Sequence, residues 1–184
     1  MFDRQIQNFT QKPLTAIAKV LLNFLKPNHI TIIGFIFGVL MCISIYFEFY
    51  LTSIFFLILN RLCDGLDGVM ARISHPTNLG AYLDIVFDFI IYSGYVLAFG
   101  LQNSNNLILS NFLLFSFICT SSTFFAQSLL QSKTYFQKNR DNDFEIKKGF
   151  VYASGLIEGT ETIIFMIICI LFPKYFIYLG LIFF

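Results

Sequence analysis

Charged residues are scarce in this chain of 184 residues, since Asp, Glu, Lys and Arg together make up only 12%. A soluble domain carries about 25% of such residues, so the deficit argues against an ordinary soluble protein. The net charge is only +1, and no basic arm interleaved with aromatic residues is present, which argues against a nucleic-acid partner. The four cysteines show no C-x-x-C spacing, so we expect buried free thiols rather than a metal centre.

Apolar residues make up 57% of the chain and are gathered into long runs. Five runs are each close to the ~20 residues that cross a bilayer as a helix: 30–47, 51–71, 79–100, 107–131 and 151–172. A sixth run, 175–184, is too short to span alone, so the last helix is short or truncated. The pattern predicts an all-α, polytopic membrane helix bundle with about six transmembrane helices. No linker or internal repeat interrupts it, so residues 1–184 are predicted to form a single domain.

A further helix is predicted before the first apolar run. Residues 13–26 place Leu14, Ile17, Leu21 and Phe24 at helical spacing, with Lys19 among the polar residues opposite. Such a segment is typical of an amphipathic helix that lies on the membrane surface.

The basic residues predict the orientation of the bundle. With the N-terminus inside, Lys174 falls on the outer side and Arg61 within a span. The other ten of the 12 basic residues fall on the cytoplasmic side: Arg4, Lys12, Lys19, Lys26, Arg72, Lys133, Lys138, Arg140, Lys147 and Lys148. We therefore predict an integral protein of a bacterial inner membrane.

Four carboxylates stand at the facing ends of the second and third apolar runs. Asp64 and Asp67 are three residues apart, and Asp84 and Asp88 are four apart, so each pair shares one face of its helix. Four like charges in one place repel each other, and divalent cations are the usual counter-charge. The pattern predicts two Mg²⁺ or Mn²⁺ ions held by these four acids.

Arg61 adds a charge to the same helix, one turn before Asp64. Each charge at the bilayer centre costs about 2.5–3.5 kcal/mol, so these groups must lie near the interface, face a hydrated cavity or be neutralised. Arg61 is expected to pair with Asp64 or with an acid on another helix.

The motif D-x2-D-G-x2-A-R-x7-G-x3-D-x3-D resembles the signature of the CDP-alcohol phosphatidyltransferase family. The segment 27–31, PNHIT, is similar to the stretch that opens the first span in that family. Two departures are visible: seven residues, not eight or nine, separate Arg72 from Gly80, and Phe89 stands where many members carry Lys or Arg. The matching positions are Asp64, Asp67, Gly68, Ala71, Arg72, Gly80, Asp84 and Asp88.

This resemblance implies a reaction and separate roles for the matching residues. The first seven of those positions would surround CDP and its metals, and Asp88 would be a metal neighbour and the base that deprotonates the acceptor alcohol. The reaction would move a phosphatidyl group from a CDP-linked donor, CDP-diacylglycerol in the first place, to a small alcohol and release CMP. A homodimer with its active site facing the cytoplasm is also implied.

Two other functions remain open at this point. A membrane prenyltransferase also uses acidic clusters with Mg²⁺, and a cation transporter could use intramembrane acids. Two further acids, Glu158 and Glu161, are expected either to line the acceptor end of the cavity or to pair within the bundle. Lys133, Lys138 and Arg140 are expected either to hold an acceptor phosphate or lipid headgroup, or to form a plain cytoplasmic loop.

Overall fold

The computed structural model describes residues 13–138 and 159–183, and over these residues the chain is helical without any strand. The predicted all-α class is therefore confirmed. Short 3-10 turns, Ser104–Asn106 and Pro173–Tyr175, precede α5 and α7. The helices are α1 (residues 13–21), α2 (Pro27–Tyr46), α3 (Tyr50–Ile73), α4 (Asn78–Gln102), α5 (Leu107–Lys138), α6 (Gly159–Leu171) and α7 (Phe176–Phe183).

Three stretches of the described chain are long and apolar enough to cross a bilayer, namely α2, α4 and Ser104–Gln127. A fourth candidate is the pair Thr162–Leu171 and Pro173–Ile182, which meet at a bend of 114°. Helix α3 has 24 residues, but Arg61, Asp64 and Asp67 make it too polar to join them by composition. A helical membrane bundle is thus confirmed, while its predicted total of six spans stays a prediction.

The last two predicted apolar runs are changed in extent. Helix α6 covers Gly159–Leu171, and residues 151–158 of the predicted fifth run lie outside the described part of the chain. Helix α7 has eight residues, as short as the sequence predicted. Pro173 opens the turn before it, because proline suits a first helical turn and not a helix interior.

Helix α1 packs on the end of the bundle that carries the acids. It ends at residue 21 rather than at 26, and Ala18 is fully buried against Val69 and Met70 of α3. The side chains of Ile17 and Val20 are exposed. The helix therefore has one face on the protein and apolar side chains on the other, as a helix lying at a membrane surface requires.

Two glycines let α2 approach its neighbours. A Cβ on Gly34 would lie 2.9 Å from the Cβ of Cys63 in α3, and one on Gly38 would overlap the side chain of Ile91 in α4. Small residues four apart are a common device for close packing of membrane helices. They bring α2, α3 and α4 together at the level where the polar residues lie.

The apolar core lies toward the other end of α4. Tyr95 and Phe99 are buried there, and the Phe99 ring stacks on Phe176 at 4.5 Å between centroids. The Tyr95 hydroxyl donates to the carbonyl of Met166 at 3.1 Å, which satisfies its polar atom inside the core. This packing holds the second half of α4 against α6 and α7, while the first half of α4 carries Asp84 and Asp88.

Candidate active site

The turn between α3 and α4 sets two acidic helix faces opposite each other. Helix α3 ends at Ile73 and α4 begins at Asn78, with Thr77 as its N-cap. The Thr77 hydroxyl accepts from the backbone N–H of Gly80 at 3.0 Å, which satisfies one free donor of the helix start. The predicted short connection is therefore a real turn, and it places Asp84 in the second turn of α4.

Three of the four predicted acids come together. Asp64, Asp67 and Asp84 each offer a carboxylate oxygen, and these oxygens all lie within 4.8 Å of one another. Asp67 is only 7% exposed, and its Oδ2 has no hydrogen-bond partner. Buried polar atoms normally have a partner, and hard oxygen donors suit Mg²⁺ or Mn²⁺. The residues present therefore fit a divalent ion.

The fourth acid, Asp88, has a different partner. Its Oδ1 accepts from Nη2 of Arg61 at 2.7 Å, and its Oδ2 accepts from the Tyr92 hydroxyl at 3.3 Å. Arg61 also reaches Oδ2 of Asp64 with Nη1, at 3.4 Å. The expected pairing of Arg61 is confirmed in both of its forms, within α3 and across to α4. Asp88 as a metal ligand stays a prediction.

Asn60 fixes the position of Arg61 and was missed by the sequence reasoning. Its side chain is buried, donates to the carbonyl of Gly34 at 2.9 Å and accepts from Nε of Arg61 at 2.8 Å. A lone Asn beside an Arg inside an apolar run was the signal that could have found it, because such polar groups need partners in a membrane. Tyr92, one turn after Asp88, was missed in the same way.

The surface beside the acids is open above Gly68. A Cβ on Gly68 would meet only Nη1 of Arg72, at 3.4 Å, while one on Gly65 would make an ordinary contact with Leu14. Close helix packing therefore occurs at Gly34 and Gly38 rather than at these glycines. A Cβ on Gly80, by contrast, would lie 3.0 Å from Oδ1 of Asn28, so the start of α2 borders the site.

One small pocket joins these groups. Its wall combines the polar side chains with two aromatic rings, Phe35 and Phe87, which stack at 4.2 Å between centroids. Its polar lining comprises the four predicted acids, Asp64, Asp67, Asp84 and Asp88, together with Thr31, Asn60 and Arg61. Ala71 and Arg72 lie further along α3, toward its C-terminal end.

The other predicted polar positions fall outside the part of the chain that the structure describes. Glu158 and Arg140 lie outside the described residues, as do the side chains of Glu161, Lys133 and Lys138. Their expected roles at the acceptor end stay predictions.

Comparison with known proteins identifies the family of the chain. The family profile described as CDP-alcohol phosphatidyltransferase matches residues 24–184, which is most of the chain and includes every predicted site residue. The chain belongs to this family. It is therefore a phosphotransferase of phospholipid biosynthesis, acting on a phosphate-linked group of a CDP-alcohol. Enzymes of the family use divalent metals, which accords with the converging carboxylates.

Two curated relatives show how far this CDP-alcohol phosphatidyltransferase resembles known proteins. "Inner membrane protein YnjF" of Escherichia coli K12 is 39% identical over 156 residues, 83% of this chain and 72% of that protein. "Bifunctional IPC transferase and DIPP synthase" of Aquifex aeolicus is 36% identical over 83 residues, 45% of this chain but only 19% of that protein. With the apolar helices, the first relative supports an integral membrane location.

Proposed function

We propose that the protein transfers a phosphatidyl group from a CDP-linked lipid, CDP-diacylglycerol, to a small alcohol, releasing CMP. The observation that carries the proposal is the group formed by Asp64, Asp67 and Asp84, with an unpartnered buried oxygen on Asp67, beside Asp88 in one pocket. A transporter would not need the Gly68, Ala71 and Arg72 continuation, and a prenyltransferase does not account for the family match.

The metal would be Mg²⁺ or Mn²⁺, held by Asp64, Asp67 and Asp84. Bound there, it would polarise the phosphorus and offset the charge of the departing phosphate. The open backbone at Gly68 would let the nucleotide approach closely, beside Ala71 and Gly80. Arg72 can contact a phosphate through two parallel hydrogen bonds.

Asp88 acts on the acceptor. The hydroxyl oxygen of the alcohol forms a bond to the lipid phosphorus, the bond from that phosphorus to the CMP oxygen breaks, and Asp88 takes the hydroxyl proton. Its carboxylate is held by Arg61 and Tyr92, so its orientation is set before the substrate arrives. Such preorientation lowers the activation barrier of a group-transfer reaction substantially.

The reaction is tested by CMP release. Purified protein is incubated with labelled CDP-diacylglycerol, Mg²⁺ and a panel of small alcohols, and we expect CMP and one labelled phospholipid. Complete chelation with EDTA should remove this activity, and added Mg²⁺ or Mn²⁺ should restore it. Activity that survives chelation would refute the metal requirement, and the absence of CMP release with every alcohol would refute the donor.

The site faces the cytoplasm in this proposal, because most basic residues are expected on that side. We expect a cysteine at exposed His75, in the α3–α4 turn, to react in a cysteine-free background only with reagent on the cytoplasmic side. A cysteine at exposed Asn105, before α5, is the matched control and should react only from the opposite side. The reverse pattern of labelling would invert the topology.

The family resemblance also implies a homodimer. Cross-linking in native membranes, followed by mass measurement, tests this part of the proposal independently of activity.

A further inference from the structure

Arg61 occupies the space between two of the acids. Its Nη1 lies 3.4 Å from Asp64 and its Nη2 lies 2.7 Å from Asp88. Nη1 also donates to the Tyr92 hydroxyl at 3.3 Å, and the guanidinium carbon lies 5.8 Å from the centre of the Tyr92 ring. The guanidinium is always protonated in proteins, so a fixed positive charge already stands in the pocket.

The guanidinium of Arg61 is held in place through Asn60 and α2. The Nε of Arg61 donates to Asn60, which in turn holds the Gly34 carbonyl of α2. A Cβ on Gly38 would come within 3.2 Å of the Asn60 amide nitrogen, so the amide is closely packed. The Arg61 side chain is 15% exposed. Moving the guanidinium aside would break four hydrogen bonds in a poorly solvated place, where unmade bonds are costly.

The acids differ in whether their carboxylate oxygens already have hydrogen-bond donors. Both oxygens of Asp88 already have donors, Arg61 and Tyr92. The Oδ2 of Asp67 has none. These contacts favour a cation beside Asp64, Asp67 and Asp84. A second cation between Asp64 and Asp88 would have to displace the guanidinium and would be repelled by its positive charge.

We propose that Arg61 takes the place of a second metal ion, so that this enzyme binds one divalent ion and uses Arg61 to hold Asp88 in position. The inference rests on the proposed function and replaces the two-ion expectation drawn from the sequence. Arg61 is then a positioning residue, since it acts on the acceptor through Asp88.

The experiment counts Mn²⁺ ions. Purified full-length protein in detergent, with CDP present, is titrated with Mn²⁺ while free Mn²⁺ is followed by electron paramagnetic resonance. The signal of Asp67→Ala serves as the baseline for adventitious binding. Wild type should bind one ion per chain, and Arg61→Met should bind two, because the space between Asp64 and Asp88 becomes free. Turnover of Arg61→Met should fall about 10–100-fold, as for other groups that orient a site.

Two further variants separate position from charge. Arg61→Lys keeps the cation and should bind one ion, with more activity than Arg61→Met. Lys174→Met removes one exposed positive charge at the start of α7 and should bind one ion, like wild type. A thermal melt accompanies each variant, and if Arg61→Met does not fold, wild type and Arg61→Lys decide the question.

Two ions bound to wild type or to Arg61→Lys would overturn the inference and leave the proposed function standing. A folded Arg61→Met that binds one ion would overturn it as well, because Arg61 would then not exclude a second ion. Binding no greater than in Asp67→Ala would instead overturn the metal site of the proposed function.

Discussion

Replacing Asp67 by alanine is expected to weaken metal binding by at least about 100-fold and to abolish turnover. The buried Oδ2 of Asp67 lacks any hydrogen-bond partner, and one carboxylate oxygen from each of Asp64, Asp67 and Asp84 lies within 4.8 Å of the other two. Changes to residues that merely support a metal ligand already cost 10–100-fold, so loss of a ligand should cost at least as much. Asp64→Ala and Asp84→Ala should behave alike, because each removes one of three donors.

Calorimetry with Mg²⁺ and CDP measures this effect. CDP affinity should fall together with Mg²⁺ affinity in all three variants, since the pyrophosphate and the ion would share one site in the proposed mechanism. Glu48→Gln is the matched control, because this exposed acid lies in the turn between α2 and α3, at the far end of both helices from the acids. Near wild-type CDP affinity in all three variants would remove these acids from the nucleotide site.

The convergence of these three acids could be predicted from the sequence because it depends on local geometry. Asp64 and Asp67 share a helix face whatever the rest of the chain does. The seven residues between Arg72 and Gly80 are too few for anything but a tight turn, so the acid-bearing ends of α3 and α4 had to lie near each other, although it is α2 that packs against both helices. The apolar runs likewise predicted where α2 to α5 lie, since a helix is what an isolated chain forms in lipid.

The surroundings of the acids could not be predicted in the same way. The roles of Asn60 and Tyr92 depend on which helices α3 contacts and on their rotation, and neither is determined by spacing within one helix. Gly34 and Gly38 form a G-x-x-x-G pattern that could have signalled the close approach of α2. The pattern would still not have named Cys63 and Ile91 as the residues they pack against.

The family resemblance had set Asp88 apart as the base, but spacing alone could not name its partners. Asp84 and Asp88 lie four residues and about 6 Å apart along one face of α4. Only the side-chain arrangement turns Asp84 toward Asp64 and Asp67 and leaves Asp88 with Arg61 and Tyr92. In the proposed mechanism, this difference would assign Asp84 to the nucleotide and Asp88 to the acceptor.

Asp88→Asn should therefore lower turnover by about 100-fold or more while changing CDP affinity much less than Asp64→Ala does. Asparagine keeps the size of the side chain and can still accept from Arg61, but it cannot take up the proton of the acceptor alcohol. General-base catalysis contributes about 10²–10⁴-fold, which sets the expected loss. Steady-state kinetics at saturating donor and calorimetry with CDP measure the two quantities separately.

Tyr92→Phe is the matched control for this prediction. It removes the hydroxyl that donates to Oδ2 of Asp88 at 3.3 Å but keeps the carboxylate, the Arg61 contact and the ring. Its turnover should fall by about 10-fold, because loss of a hydrogen bond to a charged group costs at least about 1.5 kcal/mol while the base itself is kept. The mechanism is wrong at its central step if Asp88→Asn loses CDP binding as fully as Asp64→Ala and keeps normal turnover at saturating donor. Asp88 would then be a ligand of the nucleotide site, and another group would have to accept the proton.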